Sequence, residues 1–255
     1  MKYRFTGLSD PPQYERGLIS QYGGTVLDEI VGVTTLRVDG RGKHDRQFEI
    51  ISSMDSETDT LVSSKYQPIA LTVLYQLEAE NELAVPTLLR SMLGVFKNHP
   101  GRLQFSDDEY YYNCSLGSVS LAGVGPIKLV TCNFKSYTPY AHKDVEIHGP
   151  VFDVHTDYPV VPDKIELIAR SQSKFLEVSN PRTGSKLRIH TTVEAGDTIT
   201  IEPNANFGIR KGAQNLMPYL EPSSEFENFE MAFLDALTVI PNSEVRMWAK
   251  LKKLG

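Results

Sequence analysis

The 255-residue sequence predicts a mainly β protein, with one main helix in an α+β first half and short strands throughout the second half. In residues 69 to 77, "IALTVLYQL", every second residue is large and apolar, which predicts a strand with one buried face. The period changes in residues 81 to 101, "NELAVPTLLRSMLGVFKNHPG", to the spacing of a buried helical stripe. After about residue 140, strand-like runs recur between turn signals, a pattern typical of a β-sandwich.

The helix is predicted to begin near Pro86, which suits a first helical turn, and to end at "NHPG". Bulky apolar residues at helical spacing more often form core than a ligand site, so we interpret the stripe as core. Its members are Val85, Leu88, Leu89, Met92, Leu93 and Phe96.

Short strands are predicted on both sides of this helix. In the first half they are "TVLDEIVGVTTLRV", "RQFEIIS", "RLQF", "YYYNCSL" and "IKLVTCNF". In the second half they are "DVEIHG", "KIELIAR", "KFLEVSN", "KLRIHTTV", "DTITIEP" and "EVRMWAKL". The segments "SNPRTGSK" and "EAGDT" contain turn residues between such strands, and both are predicted to be hairpin turns.

The stretch "LVTCNFKSYTPYAH" begins as a strand and then meets Pro139, which removes a backbone donor. Two tyrosines, Tyr137 and Tyr140, flank this proline. Aromatic rings can supply buried area at low entropic cost, and proline restricts the backbone. These three residues are therefore predicted to form an interdomain joint, with domains at 1–140 and 141–255.

The formal net charge is −6, and basic residues are not concentrated in any one stretch. Proteins that grip nucleic acid cluster Lys and Arg against phosphates, so tight nucleic-acid binding is not expected. No apolar run is long enough to cross a bilayer, and the N-terminus lacks the apolar region of a secretory signal. These features predict a protein made in a cytosol, without membrane insertion.

The two cysteines, Cys114 and Cys132, lie in strand-like runs that could be neighbours in a sheet. Cytosolic thiols stay reduced, so buried and inert thiols are favoured over a disulfide, although the sequence leaves their pairing open. No spacing typical of a zinc site is present.

The segment "HGPVFDVHTD" is the best candidate for metal chemistry. If it is extended, Asp153, His155 and Asp157 share one face, and His148 could approach them. The alternative is an exposed loop whose polar residues alternate by chance. No second motif completes the site, so we predict no metal and no cofactor.

Asp107, Asp108 and Glu109 in "FSDDEYYY" could supply a carboxylate pair for glycoside hydrolysis beside sugar-stacking tyrosines. An acidic turn that leads into a strand is the favoured interpretation, because acids are common turn residues. The sequence also lacks a nucleophile elbow and a phosphate-binding loop. The protein is therefore predicted not to be an enzyme.

Trp248, in "EVRMWAKL", indicates a carbohydrate-binding role, which we keep as the alternative function: a β-sandwich module that binds cell-wall polysaccharide. In an extended strand, Arg246, Trp248 and Lys250 share one face. A tryptophan on such a face could stack on a sugar, or it could pack against the first domain. Fold alone does not decide between these roles.

The segment "RSMLGVFKNHPGRLQFSDDEYYYNCSL" resembles the helix, strand and acidic-turn block of the siphophage distal tail protein (Dit) family. "TCNFKSYTPYA" resembles the family's proline-bearing crossover, and "GDTITIEP" is similar to a strand of its C-terminal domain. "VTTLRVDGRGKHDRQFEI" resembles its early strand and glycine-containing loop. The residues that fit the acidic-turn block are Leu103, Phe105, Asp107, Asp108, Tyr111 and Tyr112.

The resemblance implies a structural baseplate hub component at the distal end of the phage tail, produced in the host bacterial cytoplasm. It implies a ring-forming domain at 1–140 and a galectin-like β-sandwich at 141–255. Six copies are expected to form a ring through which DNA passes without being held. The expected partners are the major tail tube protein, a tail-associated hub (Tal-like) protein, and a receptor-binding or baseplate protein.

Overall fold

The structure is a computed structural model that describes residues 18–43, 45–51, 60–97, 100–204, 208–225 and 229–254. The chain divides into two compact units. The first is Met1–Ala141 with Leu254–Gly255, and the second is His142–Lys253. The roles predicted for the two parts, a ring-forming domain and a galectin-like domain, remain predictions.

The first unit is an antiparallel sheet with one α-helix. Its strands are β1 (Ser20–Tyr22), β2 (Thr25–Val26), β3 (Val33–Asp39), β4 (Arg46–Ile51), β5 (Thr60–Tyr66), β6 (Ala70–Glu78), β7 (Gly101–Phe105), β8 (Tyr111–Ala122) and β9 (Ile127–Ser136). Seven strands pair in the order β3-β6-β9-β8-β7-β1-β2, and all of these pairs are antiparallel. The remaining two, β4 and β5, form a separate hairpin.

Among the described residues, the first unit has one α-helix, α1 (Val85–Val95), preceded by a short 3-10 helix over Glu82–Ala84. The Asn81 side chain caps the 3-10 helix by accepting from the Ala84 N–H at 3.1 Å. Pro86 lies in the first turn of α1, as predicted, because its missing N–H has no partner there in any case. In the ranges described, no helix is long and apolar enough to span a bilayer.

The helical stripe packs against aromatic rings from the sheet. Phe96 makes edge-to-face contacts with Tyr22 and Phe134, with ring centroids 5.1 and 5.2 Å apart. All three rings are buried, so the stripe is core, as predicted. The Tyr22 hydroxyl donates to the Cys114 carbonyl oxygen at 3.0 Å, which satisfies its polar group inside the core.

Asp28 ties β1 to β3 through a buried polar network. Its carboxylate accepts from the Ser20 N–H at 3.0 Å, and from the Thr35 N–H and hydroxyl at 2.7 and 2.6 Å. The Ser20 hydroxyl lies 2.8 Å from the Thr35 hydroxyl and 3.3 Å from the Tyr75 hydroxyl. These hydrogen bonds offset the cost of burying the polar groups.

The second unit has two sheets. Its strands are β10 (Tyr140–His148), which begins at the unit boundary, β11 (Lys164–Ala169), β12 (Leu176–Ser179), β13 (Lys186–Ile189), β14 (Thr198–Glu202), β15 (Gly208–Lys211), β16 (Gln214–Asn215), β17 (Thr238–Ile240) and β18 (Ser243–Leu254). One sheet has the order β16-β15-β14-β11-β18-β10 and the other β13-β12-β17.

Five strands of the second unit, β11, β12, β13, β14 and β18, bury every second side chain over most of their length, the pattern expected of a β-sandwich. The larger sheet buries Ile165, Leu167, Ile199, Ile201, Val245 and Met247, and the smaller one Leu176, Val178, Leu187 and Ile189. The predicted mainly β fold class, with one main helix, is therefore confirmed.

Of the two hairpin predictions, one is confirmed and the other is wrong. "SNPRTGSK" joins β12 to β13, which pair as expected. "EAGDT" is a turn, with Gly196 at φ +91° and the Glu194 N–H donating to the Asp197 carboxylate at 2.8 Å. However, the strands on either side do not pair, because β13 pairs with β12 whereas β14 pairs with β11 and β15. The turn therefore carries the chain from one sheet to the other.

Gly101 provides a test of the aromatic core. A Cβ atom at this position would lie 2.2 Å from Cε1 and Cζ of Tyr22, a buried ring. We expect Gly101→Ala to lower the free energy of unfolding by about 1–3 kcal/mol, because the packed ring has to shift. Gly94→Ala is the matched control, since a Cβ atom there meets nothing within 4 Å and alanine favours the helix. Chemical denaturation that ranks the two variants in the opposite order would contradict this account.

Candidate assembly sites

The chain bends between β9 and β10, where the interdomain joint was predicted. Tyr137 to Pro139 form the bend, and β10 begins at Tyr140. The Ser136 hydroxyl donates to the Thr138 carbonyl oxygen at 2.7 Å, and the Thr138 hydroxyl donates to that of Tyr140 at 3.1 Å. Hydroxyl side chains that bond to nearby backbone groups are typical of tight turns, so these two residues order the bend locally.

Tyr137 is more exposed than an aromatic joint residue was expected to be. Its side chain is 56% exposed, its N–H donates to the Asn113 carbonyl oxygen at 3.0 Å, and its hydroxyl meets the Ser115 hydroxyl. The contacts of Ser136 and Thr138 were missed at the sequence level, although their position beside Pro139 is a recognisable signal. The role of Tyr137, Pro139 and Tyr140 as an interdomain joint remains a prediction.

Trp248 lies on the outer face of β18, together with Arg246 and Lys250, whereas the alternate residues are buried. Its neighbour in the register is Lys164, whose Nζ lies over the indole ring at 4.2 Å from the centroid. Lys164 also forms an ion pair with Glu166 at 2.9 Å. A cation already contacts the ring that the alternative function assigns to a sugar, and the sugar-stacking role remains a prediction.

The acidic segment at residues 106 to 109 forms a turn between β7 and β8. The Asp108 carboxylate accepts from the Tyr110 N–H at 3.0 Å, and Asp107 forms an ion pair with Arg41 at 2.7 Å. A shallow groove of about 440 Å³ runs beside this turn. It is lined by Ile19, Gln21, Val26, Gln104, Phe105, Ser106, Asp107, Asp108 and Glu109. Asp107 and Asp108 therefore have partners that stabilise the turn, as the favoured interpretation of an acidic turn expects.

The segment that contains Asp153, His155 and Asp157 is not extended as a strand. It is an irregular loop between isolated bridges at Val151 and Val160, and all three polar residues are exposed. His155 packs on the Phe233 ring, with centroids 5.3 Å apart. Among the described residues, no group of three His, Cys, Asp or Glu side chains is placed to hold a metal ion.

An apolar turn on the second unit was missed at the sequence level. Phe233 and Leu234 are exposed at its tip, and Leu234 has a left-handed backbone with φ +65°. The Leu234 N–H donates to the Phe152 carbonyl oxygen, and the Phe152 N–H donates to that of Asp235, both at 2.8 Å. Such a backbone is costly for a residue with a side chain, so the surrounding structure has to hold it.

The group that holds this turn is the buried carboxylate of Asp235, which is 3% exposed. It accepts from the Ala232 N–H at 2.8 Å, from the Asn180 side chain at 2.9 Å and from the Arg182 guanidinium. Burial raises the pKa of Asp235, but the three hydrogen bonds outweigh it, so its pKa lies below the usual range. No local signal reveals this network, because Asn180 and Asp235 are far apart in the sequence.

An antiparallel first unit with one helix, followed by a second unit of two sheets, is a fold that this chain shares with solved structures of phage hub and baseplate proteins. The structure of SPP1 Dit (gp 19.1), described as a paradigm of the hub adsorption apparatus in phages that infect Gram-positive bacteria, matches with a TM-score of 0.74 at 13% identity. The match covers 94% of this chain and 100% of that chain. The resemblance found in the sequence is thus confirmed at the level of the fold.

Two structures of the phage P2 baseplate in its activated conformation also match. The one with Ca has a TM-score of 0.53 and the one with Sr 0.52. Each is 11% identical, and the match covers 92% of this chain and 98% of that chain. No protein-family model and no curated protein matches the sequence.

Leu234→Gly tests whether the apolar turn is strained. Glycine adopts a positive φ without the steric cost that a side chain brings, and Leu234 is 63% exposed, so little burial is lost. We expect the free energy of unfolding to rise by up to about 1 kcal/mol. Leu234→Ala is the control, since it removes the exposed side chain but keeps the strain. A glycine variant that is less stable than the alanine variant would show that the turn is not strained.

Asp235→Asn tests the buried carboxylate through its pH dependence. Because the folded-state pKa is depressed, the ionised group stabilises the fold above its ordinary pKa of about 4, and this contribution is lost as pH falls through the folded-state pKa. The variant should lose about 1–3 kcal/mol at pH 7 and show a flatter dependence of stability below about pH 5. Thermal unfolding between about pH 3 and pH 7 measures both the loss of stability and its pH dependence. The exposed Asp157→Asn is the control. Parallel curves for Asp235→Asn and the parent would exclude this role.

Proposed function

We propose that this chain is a structural distal tail protein, a baseplate hub component that assembles as a hexameric ring at the tip of a phage tail. The observation that carries the proposal is the match to SPP1 Dit over 94% of this chain and 100% of that chain. A β-sandwich alone serves many unrelated functions. A match that includes both units in sequence order is more specific than a likeness to either one.

The two units have different roles in this proposal. The first forms the ring and contacts the major tail tube protein on one side and the tail-associated hub (Tal-like) protein on the other. The second extends as a platform for a receptor-binding or baseplate protein. The protein is made in the host cytoplasm and resides in the virion, and its role requires no cofactor and no chemistry.

The β4–β5 hairpin supports assembly between copies. Among the described strands, β4 and β5 pair only with each other. A two-stranded hairpin is marginally stable in water by itself, so contact with a neighbouring chain would stabilise it. At its base, the Gln67 N–H donates to the Asp45 carbonyl oxygen at 2.8 Å, and the Gln67 side chain donates to that of Gln47 at 2.8 Å.

The charge of the chain suits a channel for DNA. The net charge is −6, and a wall that bound phosphates would hold the genome in place. Acidic surfaces repel phosphates at short range, and this repulsion is screened beyond about 8 Å at physiological salt. In this proposal the ring surrounds DNA without affinity for it.

Electron microscopy of the purified full-length protein tests the proposed function. We expect six-fold rings, and light scattering should give a mass six times that of the 28.6 kDa chain. The informative variant replaces residues 46–66 with a short Gly-Ser link, since Asp45 and Gln67 are already joined by a hydrogen bond. This variant should keep the parent's core stability and lose the ring. A parent that stays monomeric at every concentration would contradict the proposal.

A further inference from the structure

The first unit carries three large apolar side chains that are almost fully exposed. Val31 is 93% exposed, and Leu83 and Val124 are each 91% exposed. No large hydrophobic side chain elsewhere in the described chain is as exposed as these three. Single exposed apolar residues are ordinary on protein surfaces, but a group of them in one place marks an interaction site.

Strand pairing brings these three residues to one end of the sheet. Val31 lies just before β3, which begins opposite the end of β6, and the Glu78 N–H donates to the Gly32 carbonyl oxygen at 2.7 Å. Val124 lies just before β9, which also begins opposite Glu78. Leu83 lies in the 3-10 helix that follows β6. We call this region, defined by Val31, Leu83 and Val124, the apolar end.

The three turns of the apolar end are held by specific contacts. Gly32 has φ +85°, and a Cβ atom there would lie 2.3 Å from the Glu78 carbonyl oxygen, so the first turn lies tightly against β6. The Asn81 cap fixes the 3-10 helix that carries Leu83. Lys128 donates to the Gly123 carbonyl oxygen at 3.0 Å, beside Val124. The exposed side chains are thus presented by ordered backbone.

The charge around the apolar end is acidic. Glu78, Glu80 and Glu82 are exposed on the turn between β6 and α1. Lys128 lies among them, but its side chain is mostly buried, 3.7 Å from the Glu82 carboxylate. A symmetric pair of copies that met through the same end would bring these acids together, so the charge disfavours that pair. A complementary surface is apolar and has basic residues at its rim.

The opposite end of the sheet carries the β4–β5 hairpin. This hairpin follows β3 and precedes β6, and Gly40 at its root packs against the backbone of Ala70, where β6 begins. The hairpin is the element that the proposed function assigns to contact between copies. The hairpin thus accounts for one contact between copies, and the apolar end is available for a different protein.

We propose that the apolar end is a docking surface for a neighbouring tail protein of different sequence, whose contact surface is apolar with Lys and Arg at its rim. This inference rests on the proposed function, because it assumes that the chain is built into a tail. It adds the surface that is used and the chemistry of the partner. Apolar contact supplies affinity, and the acids select for a basic partner and speed its association.

The test combines Val31→Ser, Leu83→Ser and Val124→Ser in the full-length protein. The probes are the tail tube protein and the hub protein of the same phage, purified separately and measured by biolayer interferometry. We expect the triple variant to keep the parent's mass and melting temperature and to bind one of the two probes at least tenfold more weakly. Glu80→Lys alone should also weaken that binding, and added salt should weaken the parent's. Tyr219→Ser, an exposed apolar substitution in the second unit, is the matched control and should change nothing.

Each other outcome has a distinct meaning. Unchanged binding of both probes by the triple variant, or no binding by the parent, overturns the inference while the ring remains. Loss of the ring in the triple variant would show that the apolar end contacts another copy, which also overturns it. A parent that forms no ring contradicts the proposed function itself, and light scattering of the parent alone detects that result.

Discussion

The arrangement of the first unit depends on the pairing of β6 with β3 on one side and β9 on the other. Along β6, Leu71, Val73, Tyr75 and Leu77 are buried, and the residues between them face the other way. A shift of one residue in either register would turn this whole set to the opposite face. The register places the Tyr75 hydroxyl beside Ser20 and brings the three turns of the apolar end together. The register of β6 with β3 and β9 thus determines both the buried core of the first unit and the position of the apolar end.

Elements whose signals are local could be predicted from the sequence. The alternation in β6 and the helical stripe with Pro86 each lie within one segment, and both were found. The prediction of a hairpin at "EAGDT" was wrong, because turn residues indicate that the chain changes direction but not which strands then pair. The network of Asn180, Arg182 and Asp235 could not be predicted, since its partners meet only when the second unit folds.

Two chains that are only 13% identical can share a fold because the fold constrains buried positions more than exposed ones. A fold of this kind requires apolar residues at alternate strand positions and along one helical face, and many different side chains satisfy that requirement. Exposed positions are free to differ, and they are the ones that select partners. The likeness in fold therefore carries no information about exposed residues such as Val31, Leu83 and Val124.

The burial of the two cysteines affects how the protein responds to oxidation by air. Both thiols are free and buried, and burial raises the pKa of Cys114 and of Cys132 to about 12. Only the thiolate reacts readily with oxidants or with other disulfides, so both sulfurs are inert at neutral pH while the core stays closed. In the proposed function, a particle built from this protein would pass from a reducing cytoplasm into aerated surroundings without forming chance cross-links between subunits. Its shelf life in air is then set by how rarely the first unit opens, and not by its thiol content.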